Sequence, residues 1–240
     1  MGGYPGAVKT YIDTKDFDYV RATLSNLNYS FITDMIKYAF FEETKKAFAL
    51  YDSVLPQLFK VNNKFQYSDI VKGARSKDYE NALSWLECQR AILKCNRIDD
   101  ISYPIDENIK ASSFKLYYSD VGLLNMNMGL IPENVIKDEG ISDKARSALK
   151  ENYVAQALST CDNKLYHYSY SNYSDVDFII EDNKNKCIIP LATKPSDNLI
   201  KSFMRKYDCP YGINVSEGNF SYENNIKSIP LYALFMLKNN

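Results

Sequence analysis

Two short stretches of this sequence carry residue types suited to hydrolysis of a phosphodiester. Ser174-Asp175-Val176-Asp177-Phe178-Ile179-Ile180-Glu181 reads as one strand, and Cys187-Ile188-Ile189-Pro190-Leu191-Ala192-Thr193-Lys194 as the next. Two such strands suit a metal-dependent site where each supplies a carboxylate and a lysine stands two residues beyond the second. The carboxylates hold Mg²⁺, the metal activates water and neutralises phosphate charge, and the lysine orients or deprotonates that water. Asp177 and Lys194 occupy two of the three places, but position 192 is Ala. Asp175 is two residues from Asp177 and shares its face by strand alternation, so it is a displaced substitute. Glu151, on a preceding helical segment, is another. The catalytic candidates are therefore Asp177, Lys194 and Glu151, and the metal candidates are Asp177 and Asp175, with Mg²⁺ as the ion. The competing reading makes Asp177 and Lys194 a solvent-facing ion pair contributing only about 0–1 kcal/mol.

Other chemistries find less support. The single His167 lies in the Tyr-rich run Leu165-Tyr166-His167-Tyr168-Ser169-Tyr170, where a structural or surface role is expected, and no nucleophile is placed to use it. There is no Gly-x-x-x-x-Gly-Lys and no Gly-x-Gly-x-x-Gly, so no ATP site is expected in this chain. Cys88, Cys95, Cys161, Cys187 and Cys209 are odd in number and scattered, which favours free thiols in a reducing cytoplasm over a zinc knuckle or disulfide framework. No apolar run approaches the roughly 20 residues of a membrane span. A cytoplasmic protein is expected. The net charge of −1 supplies no global attraction to nucleic acid, so any such surface must be a local patch.

The elements that must position these residues divide in two. Residues 1–12, opening Met1-Gly2-Gly3-Tyr4-Pro5-Gly6, read as a linker. Asp13 or Thr14 can cap a helix with Phe17, Val20, Leu24 and Leu27 on one face; Phe31, Met35 and Tyr38 continue the spacing, as do Phe48, Tyr51, Leu55 and Leu58. Pro56 is expected to kink or restart that last element. A short helical signal at 67–71, capped by Ser68, is followed by a turn at Gly73. A helix over 77–88 then buries Tyr79, Ala82, Leu83 and Leu86, and two β runs follow at 91–97 and 114–118. Helix, short helix, helix and hairpin is the order of a winged helix-turn-helix. Lys72, Arg75, Lys77, Arg90 and Lys94 flank its candidate recognition helix and are the DNA-phosphate candidates. Interleaved Asp69, Asp78, Glu80 and Glu87 fit a solvated helix face, the commoner explanation of such a segment, or one used in domain packing or protein contact. Another short helix begins at Asp120. Residues 129–143 read as a second linker. From 144 to 240, a helix (143–160), three β runs, a helix (197–207) and two more β runs suggest an α/β sheet domain, and the whole chain a mixed α+β protein.

The paired stretches around Asp177 and Lys194 resemble the core of the PD-(D/E)xK nucleases, the restriction-endonuclease-like fold, in a degenerate form. More broadly, the chain resembles the C-terminal half of a prokaryotic family of AAA-type ATPases that ends in a domain of unknown function. Gly2-Gly3-Tyr4-Pro5 resembles the exit of its ATPase module. Phe65-Gln66-Tyr67-Ser68-Asp69-Ile70-Val71-Lys72-Gly73-Ala74-Arg75 and Tyr79-Glu80-Asn81-Ala82-Leu83-Ser84-Trp85-Leu86 resemble its winged-helix segment. Phe114-Lys115-Leu116-Tyr117-Tyr118-Ser119-Asp120-Val121-Gly122-Leu123-Leu124, Glu151-Asn152, Asp175-Val176-Asp177-Phe178 and Ile189-Pro190-Leu191-Ala192-Thr193-Lys194 follow in the family's order. The ATPase module itself is missing, and Ala192 replaces the family's Glu. The resemblance implies a non-catalytic recognition or regulatory portion of such a protein, with DNA, an ATPase module or another protein as partner. A Mg²⁺-dependent nuclease with an altered site is the alternative. A protein-interaction or assembly module is the third reading.

Overall fold

The computed structural model describes residues 1–38, 41–60, 63–171, 174–194 and 196–237. The side chains of Ile32, Met35, Tyr38, Phe41, Tyr170, Ser171 and Ser174 lie outside the described set, so the expected places of Met35 and Tyr38 on a helix face do too. The protein is mixed α+β, and its chain divides into two compact units. The first comprises Met1–Leu93 and Leu116–Tyr153, the second Lys94–Lys115 and Val154–Asn240.

In the first unit the opening residues are not an irregular linker. Pro5 stands at the start of α1 (Pro5–Thr14), where its fixed φ suits the first turn and its missing N–H is not needed. Gly2 has φ +78, and a Cβ there would collide with the Asp120 carboxylate. Glycine is therefore required where the segment seats on Asp120, whose Oδ2 accepts the Gly3 N–H at 2.6 Å. The next helix, α2 (Phe17–Tyr38), is capped by Asp16, whose Oδ1 accepts the Asp18 N–H at 2.7 Å. Asp13 and Thr14, the expected caps, instead lie in the last turn of α1. Pro56 falls near the end of α3 (Phe41–Leu58), so the helix runs through it without a restart. A 3-10 turn (Tyr67–Asp69) and Gly73 (φ +86) lead to α4 (Ser76–Cys88), which buries Tyr79, Ala82, Leu83 and Leu86 as its spacing predicts. Val20, Leu24, Leu50, Tyr51 and Val54 add to this core, and Tyr51 meets Tyr118 edge-on at 5.0 Å between centroids. Asp120 caps α5 (Val121–Asn127) by accepting the Gly122 N–H at 2.7 Å. Within the expected second linker, α6 (Pro132–Lys137) is helical.

The two β runs at 92–98 and 109–118 do not stand apart as a hairpin. As β1 (Ile92–Ile98) and β2 (Ile109–Tyr118) they join an eight-stranded mixed sheet. The other strands are β3 (Tyr166–Ser171), β4 (Ser174–Asp182), β5 (Cys187–Ala192), β6 (Gly212–Ser216), β7 (Ser221–Glu223) and β8 (Ile226–Pro230). Their order is β2-β1-β3-β4-β5-β6-β8-β7. β3, β4 and β5 are antiparallel neighbours, while β5/β6 and β6/β8 are parallel. Parallel neighbours need a crossover. Between β5 and β6 it is α8 (Asp197–Tyr207), which buries Ile200, Phe203 and Met204 against Tyr166, Tyr168, Val176, Ile179, Ile188 and Ala192. The helix α7 (Asp143–Thr160) precedes β3. Helix 143–160, three strands and helix 197–207 match the alternation read from the sequence, although three strands follow rather than two.

Candidate functional site

Antiparallel register fixes the geometry around Asp177. Phe178 pairs with Leu191 and Ile179 with Pro190, so Asp177 comes opposite the end of β5. There Thr193 meets it twice. Its backbone N–H and its hydroxyl both donate to Asp177 Oδ2, each at 2.7 Å. Thr193 is 1% exposed, so these bonds lie away from competing water. Ala192 is 2% exposed and belongs to the apolar cluster of Ile200 and Phe203. The place of the expected second carboxylate is thus part of the hydrophobic core. Lys194 is exposed in the bend after β5.

Asp175 is tied elsewhere. Across from it on β3, Ser169 donates its hydroxyl to Asp175 Oδ1 at 2.5 Å. Lys115, only 2% exposed on β2, places its ammonium 3.9 Å from Asp175 Oδ2. The buried ammonium needs a carboxylate to compensate its lost hydration, which ties the half-buried Asp175 to the fold. Among the described residues, no group of three His, Cys, Asp or Glu side chains is arranged to hold a metal ion. Asn214 on β6, in register with Ala192, donates its amide to Asp197 Oδ1 at 2.5 Å and so ties the first turn of α8 to the sheet.

Glu151 lies in the first unit and is 9% exposed. Its Oε1 accepts from Asn63 Nδ2 at 2.8 Å and from the Tyr117 hydroxyl at 2.7 Å. The adjacent Asn152, fully buried, completes a two-way bond with one backbone residue. It accepts the Tyr118 N–H at 2.8 Å and donates to the Tyr118 carbonyl at 2.9 Å. His167 is buried, at 1% exposure on β3.

Of the basic candidates, Lys72, Arg75, Lys77 and Arg90 are exposed in the first unit, before, at the start of and after α4. Arg75 Nε lies 3.6 Å from Asp78 Oδ2. Lys94 belongs to the second unit, half-buried with its ammonium 4.9 Å from the centre of the Phe114 ring. Sequence reasoning missed Thr193, Lys115, Ser169 and Asn214. A hydroxyl residue between the altered position 192 and Lys194 was the available signal for Thr193. A lone lysine in the apolar run Phe114-Lys115-Leu116 was the signal for Lys115.

These features define an α+β protein with a mixed sheet and a carboxylate held at the join of two central strands. Residues 1–134 match a family described as a domain of unknown function, DUF8612, and the chain belongs to that family. No curated protein and no solved structure matches the chain. No helix among the described residues is long and apolar enough to cross a membrane.

Proposed function

We propose that this chain is a non-catalytic recognition or regulatory portion of an AAA-type ATPase-family protein. In this reading a winged-helix segment engages DNA through the basic residues around the start of α4, and the 144–240 region is a degenerate restriction-endonuclease-like scaffold. The observation that carries the non-catalytic part is the pairing of Asp177 with Thr193 beside a core-buried Ala192. An oxygen already receiving two hydrogen bonds is a poor ligand for Mg²⁺, which gives up its waters reluctantly, and the second carboxylate is absent. The order α7-β3-β4-β5-α8-β6 supports the scaffold reading, because it sets the aspartate strand beside the strand that leads to Lys194. The exposed Lys72, Arg75, Lys77 and Arg90 support the DNA part.

The test combines two assays on the purified chain. Supercoiled and linear DNA with Mg²⁺ or Mn²⁺ stay intact, and duplex binding followed by fluorescence anisotropy weakens steeply between about 50 and 200 mM salt. Arg75→Ala weakens binding and lowers the salt slope by about 1. Cleavage abolished by Asp177→Ala would replace this reading with the nuclease. Undetectable or salt-independent binding removes DNA as the partner. Self-association without DNA binding favours the assembly module.

A further inference from the structure

The helix α2 carries two patterned faces, and the first unit packs on one of them. Val20 and Leu24 are buried, and Leu27 and Phe31 continue that face half-buried. On the opposite side Tyr19, Ala22, Asn26, Tyr29, Thr33 and Ile36 recur at alternating intervals of three and four residues. Such a repeat is that of a seam between two helices. Yet Tyr19, Tyr29 and Ile36 are 61%, 67% and 56% exposed. Large apolar side chains scattered over a surface need no partner, but three aligned on one seam call for one.

The polar groups of this face are suited to losing water. The Thr23 and Ser30 hydroxyls donate to the carbonyls of Tyr19 and Asn26 at 3.0 and 2.9 Å, and that of Thr33 to the Ser30 carbonyl at 3.3 Å. Their protons are used within the helix, so covering them leaves no donor unsatisfied. The Asn26 amide and the Tyr29 hydroxyl differ, since neither makes a hydrogen bond among the described residues. Laying a second α2 antiparallel across the first brings these two together. About a two-fold axis between residues 27 and 28, Asn26 meets the second copy's Tyr29, Ala22 its Thr33 and Tyr19 its Ile36.

Charge obeys the same symmetry. Asp16, which caps α2, stands in line with Thr23, Ser30 and Lys37 along one flank of the seam, at heptad intervals. An antiparallel pair lays like flanks together, so each Lys37 ammonium comes to the other copy's Asp16. Lys37 Nζ lies 2.9 Å from Asp34 within its own helix, an exposed pair worth little and readily exchanged. Parallel pairing would instead gather the two Asp16 at one end and the two Lys37 at the other. We propose that the chain self-associates through α2, with a second copy of itself lying antiparallel on the exposed seam. The contact is one helix wide, which places it among small interfaces of under about 1,200 Å² and makes the dimer reversible. The inference rests on α2 alone and holds whether or not the basic residues around α4 bind DNA.

Sedimentation velocity of the full chain without DNA tests it, from about 5 to 500 µM protein, a range that brackets a weak dimer. The sedimentation coefficient rises with concentration from that of one chain toward that of two. Tyr29→Glu, at an exposed place, weakens the dimer about tenfold or more by setting a carboxylate in the seam. Ala22→Glu, at a second exposed place, does the same. Far-ultraviolet circular dichroism and the melting curve of the dilute monomer stay as in the parent. Lys37→Glu places like charge beside Asp16 and weakens the dimer about fivefold at low salt. Adding Asp16→Asn, which keeps a good cap, recovers part of that loss. A single-chain species at every concentration overturns the proposal, as does a dimer that tolerates both Tyr29→Glu and Ala22→Glu. A dimer indifferent to Lys37→Glu overturns the antiparallel arrangement.

Discussion

Thr193 donates two hydrogen bonds to a single oxygen of Asp177, one from its backbone and one from its side chain. The two residues are sixteen apart in sequence, and strand pairing closes the gap. The aspartate thereby fixes the bend that follows β5, a structural task that explains its presence without any metal.

Thr193→Val tests that task, because it removes the hydroxyl at nearly constant shape and keeps the backbone donor. A hydrogen bond to a charged group is worth about 1.5–3 kcal/mol, so the unfolding free energy falls by roughly that amount and the midpoint moves to lower denaturant. Ala192→Glu goes further. It forces an ionisable, larger side chain among Ile200 and Phe203, and the loss exceeds that of Thr193→Val. An Ala192→Glu variant as stable as the parent in urea denaturation would show that position 192 faces solvent instead.

Asn152→Ala leaves the Tyr118 N–H and carbonyl both buried without their side-chain partner. At about 1–3 kcal/mol for each group, the truncation is expected to destabilise the first unit by about 2–6 kcal/mol. The family match ends at residue 134, before Glu151 and Asn152. A fragment of residues 1–134 therefore lacks the partners of Asn63, Tyr117 and Tyr118. Its amide spectrum is expected to be poorly dispersed, and a dispersed, cooperatively melting fragment contradicts that dependence.

Acid stability has a defined sign at Asp106. Hydrogen bonds from Lys164, then from Tyr166, hold its carboxyl below the usual range against the opposing effect of burial. A depressed folded-state pKa adds stability that is present above the unfolded value, about 3.9, and is lost as pH falls through the folded value. The melting temperature of the parent therefore falls toward that of Asp106→Asn on acidification below about pH 4. Parallel curves from neutral to acid pH would remove Asp106 from the balance.

Thiol reactivity should follow burial. All five cysteines are free, and Cys88 is exposed. Burial pushes the Cys209 thiol up to about 12 and also raises that of Cys187. The thiolate is the reacting form, so at about pH 8 only about one part in ten thousand of Cys209 is competent. Timed alkylation read by peptide mass spectrometry should modify Cys88 first and Cys209 late. Equal rates in the native protein would contradict the burial.

Much of the architecture was legible because it repeats locally. The spacing of Tyr79, Ala82, Leu83 and Leu86 marked α4, and the alternation around Asp177 marked β4. What escaped was set by partners distant in sequence. Residues 1–12 looked irregular because Gly2, Gly3 and Pro5 are poor formers of regular structure; Asp120, more than a hundred positions away, orders them. The runs at 91–97 and 114–118 had strand character, but their composition did not say which sheet they enter. Asp175 looked available as a metal ligand because nothing local shows that Lys115 is buried beside it.

The interleaving of the two units imposes an order on synthesis. The first unit takes its last residues from Leu116–Tyr153, after Lys94–Lys115 has already been made for the second. At about 5–20 residues per second, the first unit stays incomplete for about one to four seconds while Lys94–Lys115 is made. Nascent Lys94–Lys115 must then wait, without the sheet that will receive it, until β3 appears.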